Sequence, residues 1–287
     1  MKKYELKKTS NTSRIIKLTF TYVFLIFICL LMIFPYFWMF MTSLKTSAEA
    51  SDTTHLSIFP KIFQWVNYIN IWEKVSVLKG AFNTVIIEIT VIPVGTFVTG
   101  MAAFSFSKLK LKHKNFWLMV LMSGMMVPYA ALLLPQYRVY MMLGWTNTLL
   151  PLIIPGLFGN ISMLFFFIQY MKGLPSALIE AAKIDSAPYF VIYVKIIIPL
   201  MGPAIAAQII FWFVGIWNDY FAPSIYLTQN NVKTLQVILA GLNSSVSSGN
   251  NWPIIMTGAI ITSLPLFVIY IIFQRFFIES MAITGIK

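Results

Sequence analysis

The side chains that could act on another molecule are concentrated in one short polar segment between two long apolar runs. Its acids, small residues and final proline are Glu180, Ala181, Ala182, Asp185, Ser186, Ala187 and Pro199. Carboxylates beside small side chains do not make up a catalytic set. They form a low, charged surface that another protein can approach closely and recognise by complementary charge. The pattern therefore predicts a docking site for a protein partner.

The same segment is predicted to fold as a helix, a turn and a second helix. Pro175 suits the first turn of a helix, and residues 178–183 contain good helix formers. Asp185 and Ser186 can end that helix and cap the next one. Pro199 and Pro203 are expected to break the chain before the following apolar run.

Catalytic, metal-binding and cofactor-binding motifs are absent from the sequence. There is no Gly-x-x-x-x-Gly-Lys loop for phosphates and no His-Glu-x-x-His pair, and His55 and His113 have no metal-ligand spacing. The single cysteine, Cys29, lies inside an apolar run, so there is no disulfide framework. We expect a protein that is not an enzyme, with no catalytic residue, no metal site and no cofactor of its own.

The composition is that of an integral membrane protein. Hydrophobic residues make up 59% of the 287 and charged residues only 10%, against about 25% in soluble domains. The formal net charge is +12. In a soluble chain this charge would suggest nucleic acid, but membrane proteins retain Lys and Arg on the cytoplasmic side. We therefore expect a lipid-embedded protein that binds no nucleic acid.

Six apolar runs are each long enough to cross a hydrocarbon core of about 30 Å as a helix. They cover residues 18–44, 82–106, 116–136, 148–171, 204–227 and 253–274. Six crossings place both termini on one side of the membrane, together with the polar segment. This side holds 15 of the 21 Lys and Arg residues, and the positive-inside rule identifies it as cytoplasmic. The predicted fold class is an all-α, multi-pass membrane protein with six transmembrane helices and cytoplasmic termini.

These spans define a cytoplasmic N-terminal segment (1–17), a membrane domain (18–276) and a cytoplasmic tail (277–287). Within the membrane domain, residues 172–203 form a cytoplasmic loop, called the inner loop below. Residues 228–252 form a polar extracytoplasmic loop, called the outer loop. By composition the outer loop is a flexible connection, although loops of this length often carry function.

The inner loop resembles the EAA loop of bacterial ABC importer permeases. The family pattern is Glu-Ala-Ala, then Asp-Gly-Ala, then Ile-x-Leu-Pro, and the matching residues are Glu180-Ala181-Ala182, Asp185, Ala187, Ile197 and Pro199. Two positions depart from it: Ser186 replaces the glycine and Ile198 the leucine. Serine disfavours a positive φ, so the departure leaves the tightness of the turn open.

Three further stretches resemble the smaller permease of maltose-type carbohydrate importers. They are Trp217-Asn218-Asp219-Tyr220, Leu143-Gly144-Trp145-Thr146-Asn147-Thr148 and Asn83-Thr84, which with the inner loop span most of residues 80–287. The resemblance implies the ABC importer permease fold in the bacterial cytoplasmic membrane, and transport by alternating access. The implied partners are a second homologous permease, two ATPase subunits that bind ATP and Mg, and an extracellular or periplasmic solute-binding protein.

The resemblance also implies roles for particular residues. Glu180, Asp185 and their neighbours in the inner loop would dock in a cleft of the ATPase. The alternative is that Glu180 is only solvated and Asp185 only caps a helix. The outer loop would reach into the binding protein, unless it is merely a solvated linker. Its tip would consist of Leu242, Asn243, Ser244 and Ser245.

Side chains suited to sugar binding, planar hydrogen-bonding groups and aromatic faces, lie in the second and fifth spans. The substrate-path candidates are Glu88, Gln208, Trp212, Asn218, Asp219 and Tyr220. Glu88 is an acid in the middle of a span and must face protein or water. A bond to a neighbouring helix, or hydration near the outer surface, would also meet that need. Tyr220 is open to a second role as an interfacial anchor.

Two classes of function are compatible with these features. The first is the permease subunit of an ATP-driven importer for a sugar or oligosaccharide, or for another solute such as a glycerol phosphate or a peptide. The second is a secondary transporter or channel that works alone. The second class needs intramembrane charges for ion coupling and leaves the inner loop unexplained, so the sequence favours the first.

Overall fold

A computed structural model describes residues 11–55, 57–74, 76–245 and 251–285. Every regular element in these ranges is a helix. The chain divides into two compact units: residues 1–71 with 246–261 form the first, and residues 72–245 with 262–287 form the second. The second unit contains most of the positions that the sequence singles out.

The elements of the described residues are all helical and follow one another along the chain with short connections. A 3₁₀ turn (Gly124–Met126) follows α5, and a π turn (Tyr193–Ile197) lies between α10 and α11. The α-helices are α1 (Asn11–Ser43), α2 (Ser47–Ser51), α3 (Asn67–Lys74), α4 (Val77–Lys108), α5 (Lys114–Ser123), α6 (Tyr129–Met142), α7 (Leu150–Leu157), α8 (Ile161–Lys172), α9 (Ala177–Ile184), α10 (Tyr189–Ile192), α11 (Ile198–Leu200), α12 (Gly202–Trp217), α13 (Phe221–Tyr226), α14 (Leu235–Ser245) and α15 (Trp252–Gly285).

Four helical stretches of the described residues are long and apolar enough to cross a membrane. They are Ile15–Ser43, Val77–Lys108, Leu150–Lys172 and Trp252–Gln274. Two bent pairs of helices raise the count to six when each pair is taken as one span. These pairs are Lys114–Met126 with Tyr129–Met142, bent by 94°, and Tyr189–Leu200 with Gly202–Trp217, bent by 80°. The predicted fold class, an all-α multi-pass membrane protein, is confirmed.

Two of the predicted spans are interrupted in the structure. The sequence predicts one continuous helix over 116–136, whereas the chain turns sharply just before Tyr129, where Pro128 cannot continue a helix. The sequence also predicts a span over 204–227, whereas α12 ends at Trp217 and a separate short helix, α13, follows. The hydropathy of these runs predicted their approximate extent, but it could not reveal the bend before Tyr129 or the end of α12 at Trp217.

Helix α4 is the centre of the second unit and packs against α7, α8, α12 and α14. Glycines on α4 permit this close packing, as small residues do between membrane helices. At Gly95 a Cβ atom would overlap the ring of Trp212, and at Gly80 it would lie 2.6 Å from Ile238 Cδ1. The neighbouring helices therefore rest directly on the backbone of α4.

The two ends of α4 contact segments that the six-span topology assigns to opposite sides of the membrane. At its C-terminal end, Lys108 Nζ donates a hydrogen bond to Leu174 O of the inner loop (2.6 Å). Nearer its N-terminus, Asn83 Nδ2 donates to Asn231 O and Lys233 O of the outer loop (3.2 and 2.9 Å). The inner and outer loops thus lie at opposite ends of one membrane helix.

In the first unit, the chain folds back on the end of α1. Gln64 N donates to Leu44 O at 2.8 Å. Lys45 is buried, its ammonium group donates to Ser57 O, and Nζ lies 5.4 Å from the ring centroid of Trp38. These contacts organise a stretch that the sequence presents only as mixed polar and aromatic residues.

The outer loop is not the flexible connection that its composition predicts. Within it, α14 packs against α4, and Leu235 and Val237 are buried. The apolar run from Leu235 to Ala240 was the signal for this helix, but the many Ser and Gly residues that follow it concealed the pattern. Residues 246–250 lie outside the described residues.

Candidate functional site

The inner loop forms the helix, turn and helix that its sequence predicts. Helix α9 ends at Ile184, and Ser186 follows with a φ of 56°, in the left-handed region. Ala187 N donates to Ala182 O at 3.0 Å, and Ser186 N donates to Lys183 O at 2.9 Å. This pair of bonds is the Schellman motif, in which glycine usually occupies the left-handed position. The replacement of the family's glycine by serine therefore falls where glycine would be favoured.

One detail of the predicted inner loop is wrong. Asp185 ends α9 but does not cap the next helix, because α10 begins after Pro188 and has no side-chain hydrogen bond at its cap. The predicted break before the next apolar run is present: Pro199 lies within α11, and an 80° bend into α12 follows it, before Pro203. The π turn, where Ile198 N reaches Tyr193 O, relieves the clash that proline causes in a regular helix.

The exposed face of α9 and the turn combines charge with a large apolar side chain. Glu180, Ala181 and Asp185 are exposed, as predicted for a docking surface. Ile184 is 84% exposed and lies directly beside Asp185, where sequence reasoning did not expect a contact residue. A contiguous exposed apolar patch rimmed by polar residues is typical of a surface that a partner protein covers, whereas single exposed apolar side chains are common. Leu178 is exposed on the same helix.

Other inner-loop residues hold the turn in place and do not form its outer surface. Ala182 is buried together with Ile179 in the core cluster of the second unit, and Ala187 packs partly buried against the same cluster. Across the turn, Lys183 Nζ lies 4.9 Å from the ring centroid of Tyr189, a cation–π contact between the two helices. Ala182 and Ala187 therefore hold the turn in place, and their part in an ATPase contact stays a prediction.

The two substrate-path candidates with planar polar groups inside spans are buried within this chain. Glu88 is 4% exposed, and its Oε1 has no hydrogen-bond partner among the residues that the structure describes. Gln208 is fully buried, and within the same residues neither its Oε1 nor its Nε2 has a partner. Both side chains are enclosed here and do not line an open passage. Their role in a substrate path stays a prediction.

The two span-five tryptophans make structural contacts. The Trp212 ring fills the space that Gly95 leaves on α4. Trp217 is buried, stacks on Phe213 with ring centroids 5.5 Å apart, and donates from Nε1 to Thr262 O at 2.9 Å. Trp217 thereby joins α12 to α15.

The residues after Trp217 end one helix and begin the next. Asn218 Nδ2 donates to Val214 O, one turn back in α12 (2.9 Å). The Asp219 carboxylate accepts hydrogen bonds from the backbone N–H groups of Phe221 and Ala222 at the start of α13. Tyr220 is about half exposed and is the candidate of this group with the most accessible aromatic face. Among the residues that the structure describes, no hydrogen bond joins this group to Glu88.

Asn147 is a structural residue whose role sequence reasoning missed. It has a φ of 59°, and its backbone N donates to Tyr226 O at 3.0 Å. Its Oδ1 accepts hydrogen bonds from Thr228 N, Thr228 Oγ1 and Gln229 N at 2.7, 2.8 and 3.0 Å. The Leu-Gly-x-x-Asn-Thr stretch thus fixes the start of the outer loop.

Asn83 and Thr84 hold the next part of the same loop. Asn83 donates to two outer-loop carbonyls, as described above, and Thr84 Oγ1 accepts from Leu235 N at 3.1 Å. The loop between α13 and α14 is therefore fastened from two directions. The family-like stretches at residues 83–84 and 143–148 both serve this purpose.

The predicted tip of the outer loop lies at the end of α14. Leu242 is partly buried, and the side chains of Asn243, Ser244 and Ser245 lie outside the described part of the chain. In the described residues, no group of three His, Cys, Asp or Glu side chains could hold a metal ion.

Comparison with known proteins places these features in a family. The family described as "Binding-protein-dependent transport system inner membrane component" matches residues 92–283. The arabinooligosaccharides transport system permease protein AraQ of Halalkalibacterium halodurans is 31% identical over 91% of this chain and 93% of its own length. The lactose transport system permease protein LacG of Rhizobium radiobacter is 27% identical over 88% of this chain and 90% of its own.

A solved structure shares the fold. It belongs to a bacterial ABC transporter involved in the import of the acidic polysaccharide alginate, with a TM-score of 0.77. The similarity covers 94% of this chain and 99% of the solved chain, at 20% sequence identity.

Proposed function

Because this chain belongs to the family of binding-protein-dependent transport system inner membrane components, we propose that it is a permease subunit of an ATP-driven importer for a sugar or oligosaccharide. It is a multi-pass membrane protein, and its fold is that of an ABC importer permease. The substrate class is suggested by relatives named for arabinooligosaccharide and lactose transport. Transport proceeds by alternating access, driven from outside this chain.

One observation carries the proposal: the inner loop presents an exposed, charged and partly apolar surface on a turn anchored in the core. Glu180, Asp185 and Ile184 face outward, while Ala182 and Ile179 hold the turn against α4 and α8. A rigidly anchored projection can transmit movement of a partner to the membrane helices. A solvated connection between helices would need neither the anchoring nor the exposed isoleucine.

The partners follow from this arrangement. The chain has no phosphate-binding loop of its own, so ATP and Mg would be bound by two ATPase subunits that hold the inner loops. A second, homologous permease would complete the membrane passage as a heterodimer. A solute-binding protein would deliver the sugar to the face that carries the outer loop, which is extracytoplasmic in the six-span topology.

The experiment is reconstitution of the chain with its candidate partners in proteoliposomes. The assembled complex should hydrolyse ATP faster when the loaded binding protein is added, and should accumulate a radiolabelled sugar. The purified chain alone should hydrolyse no ATP. ATPase activity that stays with the isolated chain would refute the importer reading. If the complex takes up a glycerol phosphate or a peptide but none of the sugars tested, only the carbohydrate assignment is refuted.

A further inference from the structure

Tyr193, the first residue of the π turn, joins the inner loop to α4. Its side chain is buried, and its hydroxyl donates to Phe97 O at 2.8 Å. The Phe104 ring stacks on it with centroids 5.9 Å apart, and the Phe97 ring meets it edge-on at 5.3 Å. This is a specific polar contact inside an otherwise apolar core.

Gly100 makes the contact possible. A Cβ atom at this position would lie 2.5 Å from the Tyr193 hydroxyl oxygen, closer than any real side chain could approach. The hydroxyl therefore rests against the bare backbone of α4. Any larger residue at position 100 would push the π turn away from this helix.

A cavity of about 190 Å³ lies beside this contact. Tyr193, Gly100 and Thr96 line it, together with apolar side chains from α8, α11 and α12. The Thr96 hydroxyl is buried, and it has no hydrogen-bond partner among the residues that the structure describes. A buried hydroxyl without a partner costs free energy. A conformation that brings a hydrogen-bond partner to the Thr96 hydroxyl therefore recovers part of that cost.

The Tyr193 hydroxyl, which rests against Gly100, and the Thr96 hydroxyl lie along the same face of α4. Thr96 and Gly100 are four residues apart and lie on the same face of the helix, about 6 Å apart along its axis. The cavity opens between them. A tyrosine hydroxyl both donates and accepts hydrogen bonds, so it can pair with a threonine hydroxyl as well as with a carbonyl.

We propose that Tyr193 is a positioning residue of the transport cycle, with two hydrogen-bonding positions on α4. The first is the Phe97 carbonyl, which it occupies here. The second is the Thr96 hydroxyl, one helical turn of α4 before Gly100, which it reaches when the inner loop moves. Steps of one turn between packed elements are an established form of switching. The inference rests on the proposed function, because the movement requires a partner that drives the inner loop.

The test uses the whole importer in proteoliposomes, with the sugar that its binding protein carries. Tyr193→Phe and Thr96→Val should each lower the maximal rate of sugar uptake by roughly fivefold, the effect of one lost hydrogen bond. The concentration of loaded binding protein at half-maximal rate should not change. The double variant should be no slower than the slower single variant, because both changes remove the same pairing.

Two matched controls should transport at the native rate. Tyr170→Phe removes a hydroxyl from a ring that packs against the same core cluster. Thr90→Val removes a threonine hydroxyl that bonds only within α4, to Ile86 O. If Tyr170→Phe slows uptake as much as Tyr193→Phe does, the effect is one of packing and the inference is overturned.

The remaining outcomes also decide the matter. A native rate of uptake in Tyr193→Phe would overturn the inference. A native rate in Thr96→Val would overturn it as well, because the Thr96 hydroxyl would then have no part in transport. Additive effects in the double variant would show that the two hydroxyls act independently, and would overturn the inference. If Tyr193→Phe does not assemble, Thr96→Val decides alone, because it leaves the Phe97 contact intact. Failure of the native complex to take up any sugar would instead refute the proposed function.

Discussion

The backbone of Ala187 is hydrogen-bonded to that of Ala182 across 3.0 Å, and this bond closes the turn of the inner loop around Ser186. The closure places Ser186 at a φ of 56°. A residue with a Cβ atom is strained by about 1–2 kcal/mol in this region, whereas glycine is not. The exposed surface of the inner loop is thus held by a turn whose central residue is less suited to it than the family's usual glycine.

Replacing Ser186 with glycine is therefore expected to stabilise the turn by about 1 kcal/mol. The measurement is hydrogen exchange of the Ala187 amide, which should slow about fivefold because its bond to Ala182 opens less often. Ser176→Gly is the matched control, since Ser176 precedes α9 with an ordinary φ of −67° and should gain nothing. Equal or faster exchange of Ala187 in Ser186→Gly would contradict the strain argument.

Reversing the charge of Glu180 should weaken binding of the ATPase. Glu180→Lys leaves the core untouched because this side chain is exposed, and the assembled complex should lose about tenfold or more in affinity through like-charge contact. Pull-down of the ATPase subunits at increasing salt would measure the loss. Lys110→Glu, an exposed reversal on the same predicted membrane face, should have a smaller effect. An intact complex with normal transport in Glu180→Lys would exclude Glu180 from the interface.

Asn147→Ala should loosen the start of the outer loop. The change removes the acceptor of three hydrogen bonds and leaves alanine at a positive φ, so stability should fall by about 2–3 kcal/mol. Thermal unfolding of the detergent-purified chain would register this as a lower midpoint. Asn230→Ala is the control, because Asn230 accepts a single exposed hydrogen bond from Lys233 Nζ. An unchanged midpoint in Asn147→Ala would show that the loop does not depend on it.

Trp217→Phe distinguishes a structural role from a sugar contact. It removes the bond from Nε1 to Thr262 O that joins α12 to α15, and stability should fall by about 1–2 kcal/mol. The sugar concentration for half-maximal uptake should stay constant. Trp117→Phe, at an exposed tryptophan of α5, should leave stability unchanged. A raised half-maximal concentration with normal stability in Trp217→Phe would make Trp217 a substrate residue.

Much of the fold could be predicted because its signals are local or compositional. Long apolar runs predicted the membrane helices, since any backbone that crosses lipid must satisfy its own hydrogen bonds. The Glu-Ala-Ala pattern and the prolines predicted that the inner loop folds as two helices joined by a turn. The sharp bend just before Tyr129 and the end of α12 at Trp217 did not follow from hydropathy, because an apolar run has the same hydropathy whether or not its helix is interrupted.

The candidate site was predicted in outline and corrected in detail. Glu180 and Asp185 are exposed as expected, but Ala182 is buried and Ile184 is not. Both are small or apolar residues on one short helix, and only the direction of the core decides which of them faces it. Asp219 accepts backbone hydrogen bonds at the start of α13, and its predicted contact with a sugar stays a prediction.

By itself the sequence determined that this protein is a helical membrane protein, and it predicted a polar inner loop on the cytoplasmic side. Only the tertiary structure revealed the contacts that fix its working parts. Asn147 meets Thr228 across 81 residues of sequence, and Tyr193 meets Phe97 across 96. A local pattern encodes the helical state of a segment because neighbouring residues determine it. The pairing of distant side chains depends on how the helices pack, which no local pattern specifies.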